Sequence, residues 1–314
     1  MPRTFESERE GRVLIVRFDN PPFNFMNREM VAELGELLDS LEGDRSPGAV
    51  VLTGKPEDLF ITHYDVEEIL AGSEGVRRTV SAGVAGASLR TVGTVARLPG
   101  AGAALGRTPA AGLLQLRRIH EVLTRMQRMD KVFVAAINGP ALGGGCELSM
   151  ACDIRYMTSG AKWIGQPEML LGFPPGAGGT QRLTRIVGTS RALELVLEGR
   201  PLTPVEAHDL GLVHRVTPDG ELLTEATSCA RRLAQRAPLS VAAAKSAVLE
   251  ASARPLSDGL AEERKWFLAS VSQPAAQRAM RAYAERVRSS GPPFSGDEEE
   301  MARWREGAAV DLVG

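Results

Sequence analysis

Three consecutive glycines followed by an acidic residue are the feature that most constrains how this 314-residue chain can fold. They lie in Ile137–Glu147, with the sequence INGPALGGGCE, directly after a short apolar stretch. Glu147 falls in the first turn of a predicted helix, where the first N–H groups have no intrahelical partner and the helix dipole is positive. Glycine lets a ligand oxygen approach that backbone without meeting a Cβ atom. Gly144 and Glu147 share a helical face, so the segment can offer an oxyanion-binding N–H beside a carboxylate able to move a proton.

The composition is that of an ordinary globular protein, with 43% hydrophobic residues, 24% charged residues and a formal net charge of −2. This balance gives no electrostatic footprint for nucleic acid or an anionic membrane, and no apolar run is long enough to cross a bilayer, so neither partner is expected. Three cysteines are too few and too irregularly placed for a disulfide framework, and Met1–Glu10 lacks the apolar core of a signal peptide. A cytoplasmic location is therefore expected. The four histidines show no metal-ligand spacing with the cysteines, so no metal is expected.

Apolar runs and turn residues predict an α/β core. Strands are predicted at Val13–Phe18, Ala49–Leu52 and Lys131–Ile137, and Asn27 can cap the helix that follows the first strand. Strands that alternate with helices imply crossover connections and largely parallel pairing. Thr203–Glu206 has the pattern of a capping box with proline at the first helical position.

The chain is predicted to consist of a core at 1–220, a helical region at 221–295 and a charged tail at 296–314 with no assigned function. In the helical region, helices are predicted at Leu223–Ala234, Ser240–Leu249 and Leu260–Val287. Ala71–Arg107 is rich in Gly and Ala and has weak periodicity until Leu113–Met129 resumes a helical pattern. Two interpretations of that segment stay open, a flexible surface insertion or a mobile lid.

A second carboxylate lies in an equally suggestive context. Gly165–Gly172 reads GQPEMLLG, in which Pro167 fixes the chain before Glu168 and apolar neighbours would keep that carboxyl group partly dry. Phe173–Leu183 then adds another glycine loop that opens a helix. Two carboxylates near glycine-lined N–H donors make a plausible general acid/base pair. A second N–H donor could come from the loop Leu59–Asp65.

These segments together resemble the crotonase (enoyl-CoA hydratase/isomerase) superfamily, and within it a hydratase. The resemblance runs from about Val13 to Phe294 and leaves out Ala71–Arg107 as an insertion. The motifs that carry it are Asn138–Leu148 with Cys152-Asp153, Gly165–Glu168 and Pro175–Leu183.

The resemblance implies an α/β fold, a spiral of repeated ββα units whose C-terminal helices assemble homotrimers, often paired into hexamers. It also implies an acyl-CoA substrate, with the thioester oxygen held by the N–H groups of Tyr64 and Gly144 as enolate charge develops. Glu147 and Glu168 match the two hydratase glutamates. One would activate the water that adds to the β-carbon, and the other would handle the proton at the α-carbon.

The resemblance further implies which residues contact the substrate. No cofactor is expected, because coenzyme A is part of the substrate. Substrate and CoA contacts would come from Phe25, Thr62, Asp65, Val66, Pro140, Gly143, Pro167 and Gly176.

The implied reaction is reversible hydration of a 2-enoyl-CoA to a 3-hydroxyacyl-CoA. A double-bond isomerase or another acyl-CoA lyase on the same scaffold stays open, as does a weakly catalytic homologue that acts by binding, including binding to RNA. The first oxyanion loop favours this last alternative, because the family usually has Phe-x-Ala-Gly-Ala-Asp where this chain has Phe60–Asp65, FITHYD. His63 would be strained in any left-handed backbone conformation, and Tyr64 would place a large ring towards the acyl pocket.

Overall fold

Two sheets form the β-structure of the computed structural model, which describes residues 3–74, 80–96, 98, 100–106, 108, 110–290 and 298–313. Parts of the predicted insertion at Ala71–Arg107, of the helical region (291–295) and of the charged tail lie outside these residues. The strands are β1 (Phe5–Glu10), β2 (Val13–Phe18), β3 (Ala49–Gly54), β4 (Val132–Ile137), β5 (Ala141–Leu142), β6 (Ile154–Thr158), β7 (Ile164–Gly165) and β8 (Arg215–Thr217).

The larger sheet has the strand order β1-β2-β3-β4-β6-β8. Only β1 and β2 pair antiparallel in it, and the other neighbours are parallel, as the alternation of strands and helices predicts. Every residue of β3 and β4 is buried, which is typical of parallel strands covered on both faces. The three predicted strands are present, with ends that differ by at most two residues. Strand β1 was not predicted, because Phe5 is the only apolar residue in its sequence, FESERE. Phe5 is also its only buried residue.

Helices cover both faces of this sheet. The α-helices of the described residues are α1 (Arg28–Gly43), α2 (Val66–Glu74), α3 (Ala82–Val95), α4 (Ala101–Leu105), α5 (Ala111–Arg128), α6 (Gly144–Ala151), α7 (Gly179–Val187), α8 (Thr189–Glu198), α9 (Pro204–Asp209), α10 (Leu222–Leu233), α11 (Pro238–Lys245), α12 (Leu256–Val271), α13 (Pro274–Ser290) and α14 (Glu298–Arg305). The Asn27 side chain caps α1 by accepting from the Met30 N–H at 2.8 Å, and the capping box at Thr203 and Glu206 starts α9. Both predicted caps are therefore present.

Alternate residues of the central strands divide the core in two. Val51 of β3 and Val134 of β4 pack with α10, whereas Val50 and Phe133 belong to the larger core that contains α1 and α5. This alternation follows from the period of two in a strand. The sheet is thus the middle layer of the fold.

The small sheet brings two of the predicted motifs together. Strand β5 leads into Gly143–Gly145, strand β7 precedes Pro167, and the two strands pair in parallel with Leu142 opposite Gly165. The Gly143 N–H donates to the Gly165 carbonyl at 2.9 Å. The start of α6 and the segment that carries Glu168 are consequently neighbours.

The C-terminal region differs from the prediction at two places, the first being that the α-helix predicted at Ser240–Leu249 ends at Lys245 and continues as a π-helix over Ser246–Glu250. The expected continuous helix Leu260–Val287 is wrong, because the structure has α12 and α13 with a break at Ser272 and Gln273. Pro274 explains the break, since proline lacks an N–H and disfavours helical geometry in the preceding residue. Within the described part of the chain, no helix combines the length and apolar character needed to cross a bilayer.

Candidate active site

The start of α6 packs tightly against the loop that carries Tyr64. All eight residues of α6 are buried, and a Cβ atom on Gly145 would lie 1.9 Å from the Ile61 carbonyl oxygen. A Cβ atom on Gly144 would lie 3.1 Å from Tyr64 Cβ and 3.3 Å from Tyr64 N. Neither the Tyr64 N–H nor the Gly144 N–H donates to an acceptor among the described residues. Two unpaired backbone donors therefore lie side by side, an arrangement able to bind one oxyanion.

Glu147 is a buried carboxylate held by backbone donors. Its Oε1 accepts from the N–H groups of Ala177 and Gly179, each at 2.7 Å. Burial raises the pKa of Glu147, while these two hydrogen bonds and the positive charge of Arg182 partly oppose the increase. The second glycine loop is thus positioned to orient this carboxylate, which is 3% exposed.

Glu168 is more accessible and begins a short 3₁₀ helix, Glu168–Leu171. Burial is the main reason that its pKa is raised to about 7, and the nearby charge of Glu147 adds to the increase. Its Oε1 would lie 3.1 Å from a Cβ atom on Gly143, so the carboxyl group lies beside the glycine segment. A carboxyl group with a pKa near 7 can donate or accept a proton at neutral pH.

The Gln166 side chain donates hydrogen bonds to the Glu168 carboxyl group. The hydrogen-bonding environment orients its amide nitrogen towards Glu168, 2.8 Å from Oε1 and 3.2 Å from Oε2. The side chain is 2% exposed, so this contact is shielded from water. Gln166 belongs to the recognised motif, but its sequence position alone did not indicate this role.

These groups open into one cavity of about 450 Å³. Its apolar wall includes Ile69, Leu113, Leu116, Leu142 and Phe173. The predicted site residues that line it are Tyr64, Val66, Gly143, Gly144, Glu147, Pro167, Glu168 and Gly176. The structure therefore brings together both glutamates, both N–H donors and half of the predicted contact residues.

Four predicted contact residues, Phe25, Thr62, Asp65 and Pro140, do not line this cavity, and their contacts with CoA stay a prediction. The Phe25 ring stacks on His63 with ring centroids 4.1 Å apart, and Thr62 Oγ1 donates to the Phe23 carbonyl at 2.6 Å. Asp65 Oδ1 accepts from the Glu67 N–H at 2.9 Å at the start of α2. Pro140 precedes β5.

The unusual loop at His63 and Tyr64 is accommodated without the expected strain. Among described non-glycine residues, a positive φ occurs at Asn24 and Lys162, not at His63. The Tyr64 ring reaches the cavity as predicted, and its hydroxyl donates to Glu68 Oε2 at 2.9 Å and accepts from Gln115 Nε2 at 3.2 Å. Gln115 and Arg28, which also line the cavity, were not predicted, because their positions on α5 and α1 carry no motif.

Comparison with known proteins identifies the family of the chain. The sequence matches a model of the enoyl-CoA hydratase/isomerase family over residues 8–114 and 110–294. The chain belongs to this family. It is 35% identical over 285 residues to a probable mitochondrial enoyl-CoA hydratase of Dictyostelium discoideum, with coverage of 90% of this chain and 88% of the relative. It is 32% identical to the short-chain-enoyl-CoA hydratase of Clostridium acetobutylicum, with 90% and 95% coverage.

Solved structures show that this chain has the crotonase fold. An enoyl-CoA hydratase from Polaromonas sp. JS666 superposes with a TM-score of 0.74 at 26% identity, covering 92% of this chain and 98% of that one. The predicted family and fold class are therefore confirmed, and the chain is an enoyl-CoA hydratase-like enzyme. Among the residues that the structure describes, no group of three or more His, Cys, Asp or Glu side chains is arranged to hold a metal ion.

Proposed function

We propose that the protein catalyses reversible hydration of a 2-enoyl-CoA to a 3-hydroxyacyl-CoA. The observation that carries the proposal is that Glu147 and Glu168 line one cavity with the unpaired N–H groups of Tyr64 and Gly144. Addition of water to a thioester-conjugated double bond needs a base for the water, an acid for the α-carbon and donors for the enolate oxygen. All three kinds of group are present on the chain itself, so the proposed reaction requires no cofactor.

The proposed mechanism divides the proton transfers between the glutamates. Glu147, stabilised as a carboxylate by two N–H donors, takes a proton from water as the water oxygen bonds to the β-carbon. Electrons of the double bond move to the thioester oxygen, which accepts from Tyr64 and Gly144. Glu168, with a pKa of about 7, then gives its proton to the α-carbon. Exchange with solvent removes the proton from Glu147 and returns one to Glu168, which restores both groups. The reverse sequence eliminates water.

A spectrophotometric comparison of 2-enoyl-CoA and 3-enoyl-CoA thioesters tests this proposal. A hydratase is expected to remove the absorbance of the conjugated 2-enoyl thioester, with a 3-hydroxyacyl-CoA product. Migration of the double bond in a 3-enoyl-CoA without hydration would instead assign an isomerase. An absence of turnover across short, branched and long acyl chains, with salt-dependent retention of RNA, would support the binding alternative.

Gly144→Ala tests the proposed oxyanion site. The new Cβ atom would lie 3.1 Å from Tyr64 Cβ and 3.3 Å from Tyr64 N, so the two donors must separate. Loss of one such donor typically lowers kcat about a hundred- to a thousand-fold, and we expect displacement to lower it by at least about tenfold. Gly112→Ala is the matched control, because Gly112 lines the same cavity and a Cβ atom there would meet nothing within 4 Å. Equal kcat values in the two variants would contradict the assignment.

Assembly and location complete the proposal. The C-terminal helices α12 and α13 leave large apolar side chains exposed, including Leu256, Phe267, Leu268 and Met280, which supports a homotrimer or a dimer of trimers built on them. Cys146, Cys152 and Cys229 are free thiols, which is consistent with the reducing cytoplasm.

A further inference from the structure

A second, cationic cleft adjoins the active-site cavity. It lies between α3 and α5 and is lined by Arg90, Thr94, Arg117 and His120, together with Leu116. No described residue that lines it is acidic, and neither guanidinium group donates to or pairs with a described residue. Two arginines that share a cleft without a carboxylate partner form a site for an anion.

Leu116 joins the cleft to the active site. This residue lines both the cleft and the active-site cavity, and its Cδ1 atom would be 4.0 Å from a Cβ atom on Gly176. His120 Nε2 donates to the Gly176 carbonyl at 2.8 Å, and the next residue, Ala177, donates its N–H to Glu147. The cleft is therefore one loop away from Glu147 and shares Leu116 with the active-site cavity.

The position of Arg117 depends on the absence of a side chain on α3. A Cβ atom on Gly93 would lie 2.5 Å from Arg117 Nη1, so the guanidinium group packs directly on the helix backbone. Arg117 is half-buried, and its planar group can bind both oxygens of a carboxylate. The active-site cavity beside it is mostly apolar, where an unpaired carboxylate would be costly to bury.

We propose that this cleft binds a carboxylate at the far end of the acyl group, so that the enzyme prefers ω-carboxylated 2-enoyl-CoA esters to uncharged esters of the same length. The inference rests on the proposed hydration and specifies its substrate class. Arg117 and Arg90 bind the carboxylate, and Leu116 contacts the methylene groups that lead to it.

The test compares kcat/KM for six-carbon 2-enoyl-CoA esters with and without a terminal carboxylate. In the wild-type enzyme the carboxylated ester is expected to be the better substrate. Arg117→Gln is expected to lower kcat/KM for that ester at least about tenfold more than for the uncharged one, since hydrogen bonds to charged groups have this magnitude. Arg118→Gln is the matched control, because this substitution removes the same charge and Arg118 is exposed on α5 outside the cleft.

Further variants and esters keep the outcomes distinct. Gly93→Ala retains the charge but displaces the Arg117 guanidinium group, so it should also reduce the preference, even if Arg117→Gln fails to fold. Arg117→Gln could instead lower kcat/KM equally for both CoA esters and leave kcat/KM for the matching pantetheine thioesters unchanged. That result would assign the cleft to a CoA phosphate and overturn the proposal. Hydration without a wild-type preference for the carboxylated ester would overturn this inference alone. Hydration of neither ester would overturn this inference, and it would overturn the proposed function only together with an absence of turnover across short, branched and long acyl chains.

Discussion

Glu147→Gln is expected to lower turnover of a 2-enoyl-CoA by about a hundred- to ten-thousand-fold, the range typical of a lost general base. Glutamine keeps an oxygen that can accept from the Ala177 and Gly179 N–H groups, so the second glycine loop should stay in place. It cannot take a proton from water. The measurement is kcat for hydration, with the dissociation constant of a non-reactive acyl-CoA as a check that the site still binds.

Glu168→Gln is expected to produce a loss of similar size and to change the pH profile as well. The pKa of Glu168 is raised to about 7, and the proposed donor is its protonated form. Hydration by the wild-type enzyme should therefore decline as the pH rises through about 7, because the protonated fraction falls. That decline should be absent from any residual activity of the glutamine variant.

Glu36→Gln supplies the control for both substitutions, because Glu36 is exposed on α1 and does not line the cavity. It should hydrate the substrate at the wild-type rate. Wild-type hydration in either Glu147→Gln or Glu168→Gln would contradict the two-glutamate mechanism.

The half of the site that depends on local sequence could be predicted. Gly144 and Glu147 are placed by the geometry of a helix start, and Pro167 marks the start of the segment that carries Glu168. The donors to Glu147 could not be derived from spacing, since Ala177 lies on a loop that only tertiary folding brings there. The resemblance anticipated the region but not the hydrogen bonds.

The segments that were predicted least well have little contrast between polar and apolar faces. In α3, AGVAGASLRTVGTV, small residues weaken the helical period, although the helix forms and packs along α5. The cleft between Arg90 and Arg117 depends on that packing, so no motif could reveal it. The break before Pro274 is the opposite case, because the proline itself marks the end of a helix although the apolar period continues through it.

Lys245→Met is expected to destabilise the fold by about 3–5 kcal/mol, the cost typical of breaking a buried ion pair. Lys245 is 8% exposed, and its Nζ donates to the Met126 and Lys131 carbonyls, each at 2.8 Å, and to Asp153 Oδ2 at 2.9 Å. The variant leaves the buried Asp153 carboxylate without its cation. Burial already raises the pKa of Asp153, and the positive charge of Lys245 opposes that increase more strongly than any other neighbouring group.

The free energy of unfolding from urea titrations measures this loss, with Lys265→Met as the control. Lys265 is exposed and pairs with Glu262 on the same helix, so its loss should cost at most about 1 kcal/mol. Adding Asp153→Asn to Lys245→Met should recover part of the stability, because the uncompensated charge is removed. Similar losses of unfolding free energy in the two lysine variants would contradict a stabilising role for the buried pair of Lys245 and Asp153.

The same Asp153 oxygen accepts from the Phe133 N–H at the start of β4, the strand that leads to the glycine segment. Loss of this lysine should therefore also disturb the active site, and reduced affinity for acyl-CoA at urea concentrations well below the unfolding transition would reveal it.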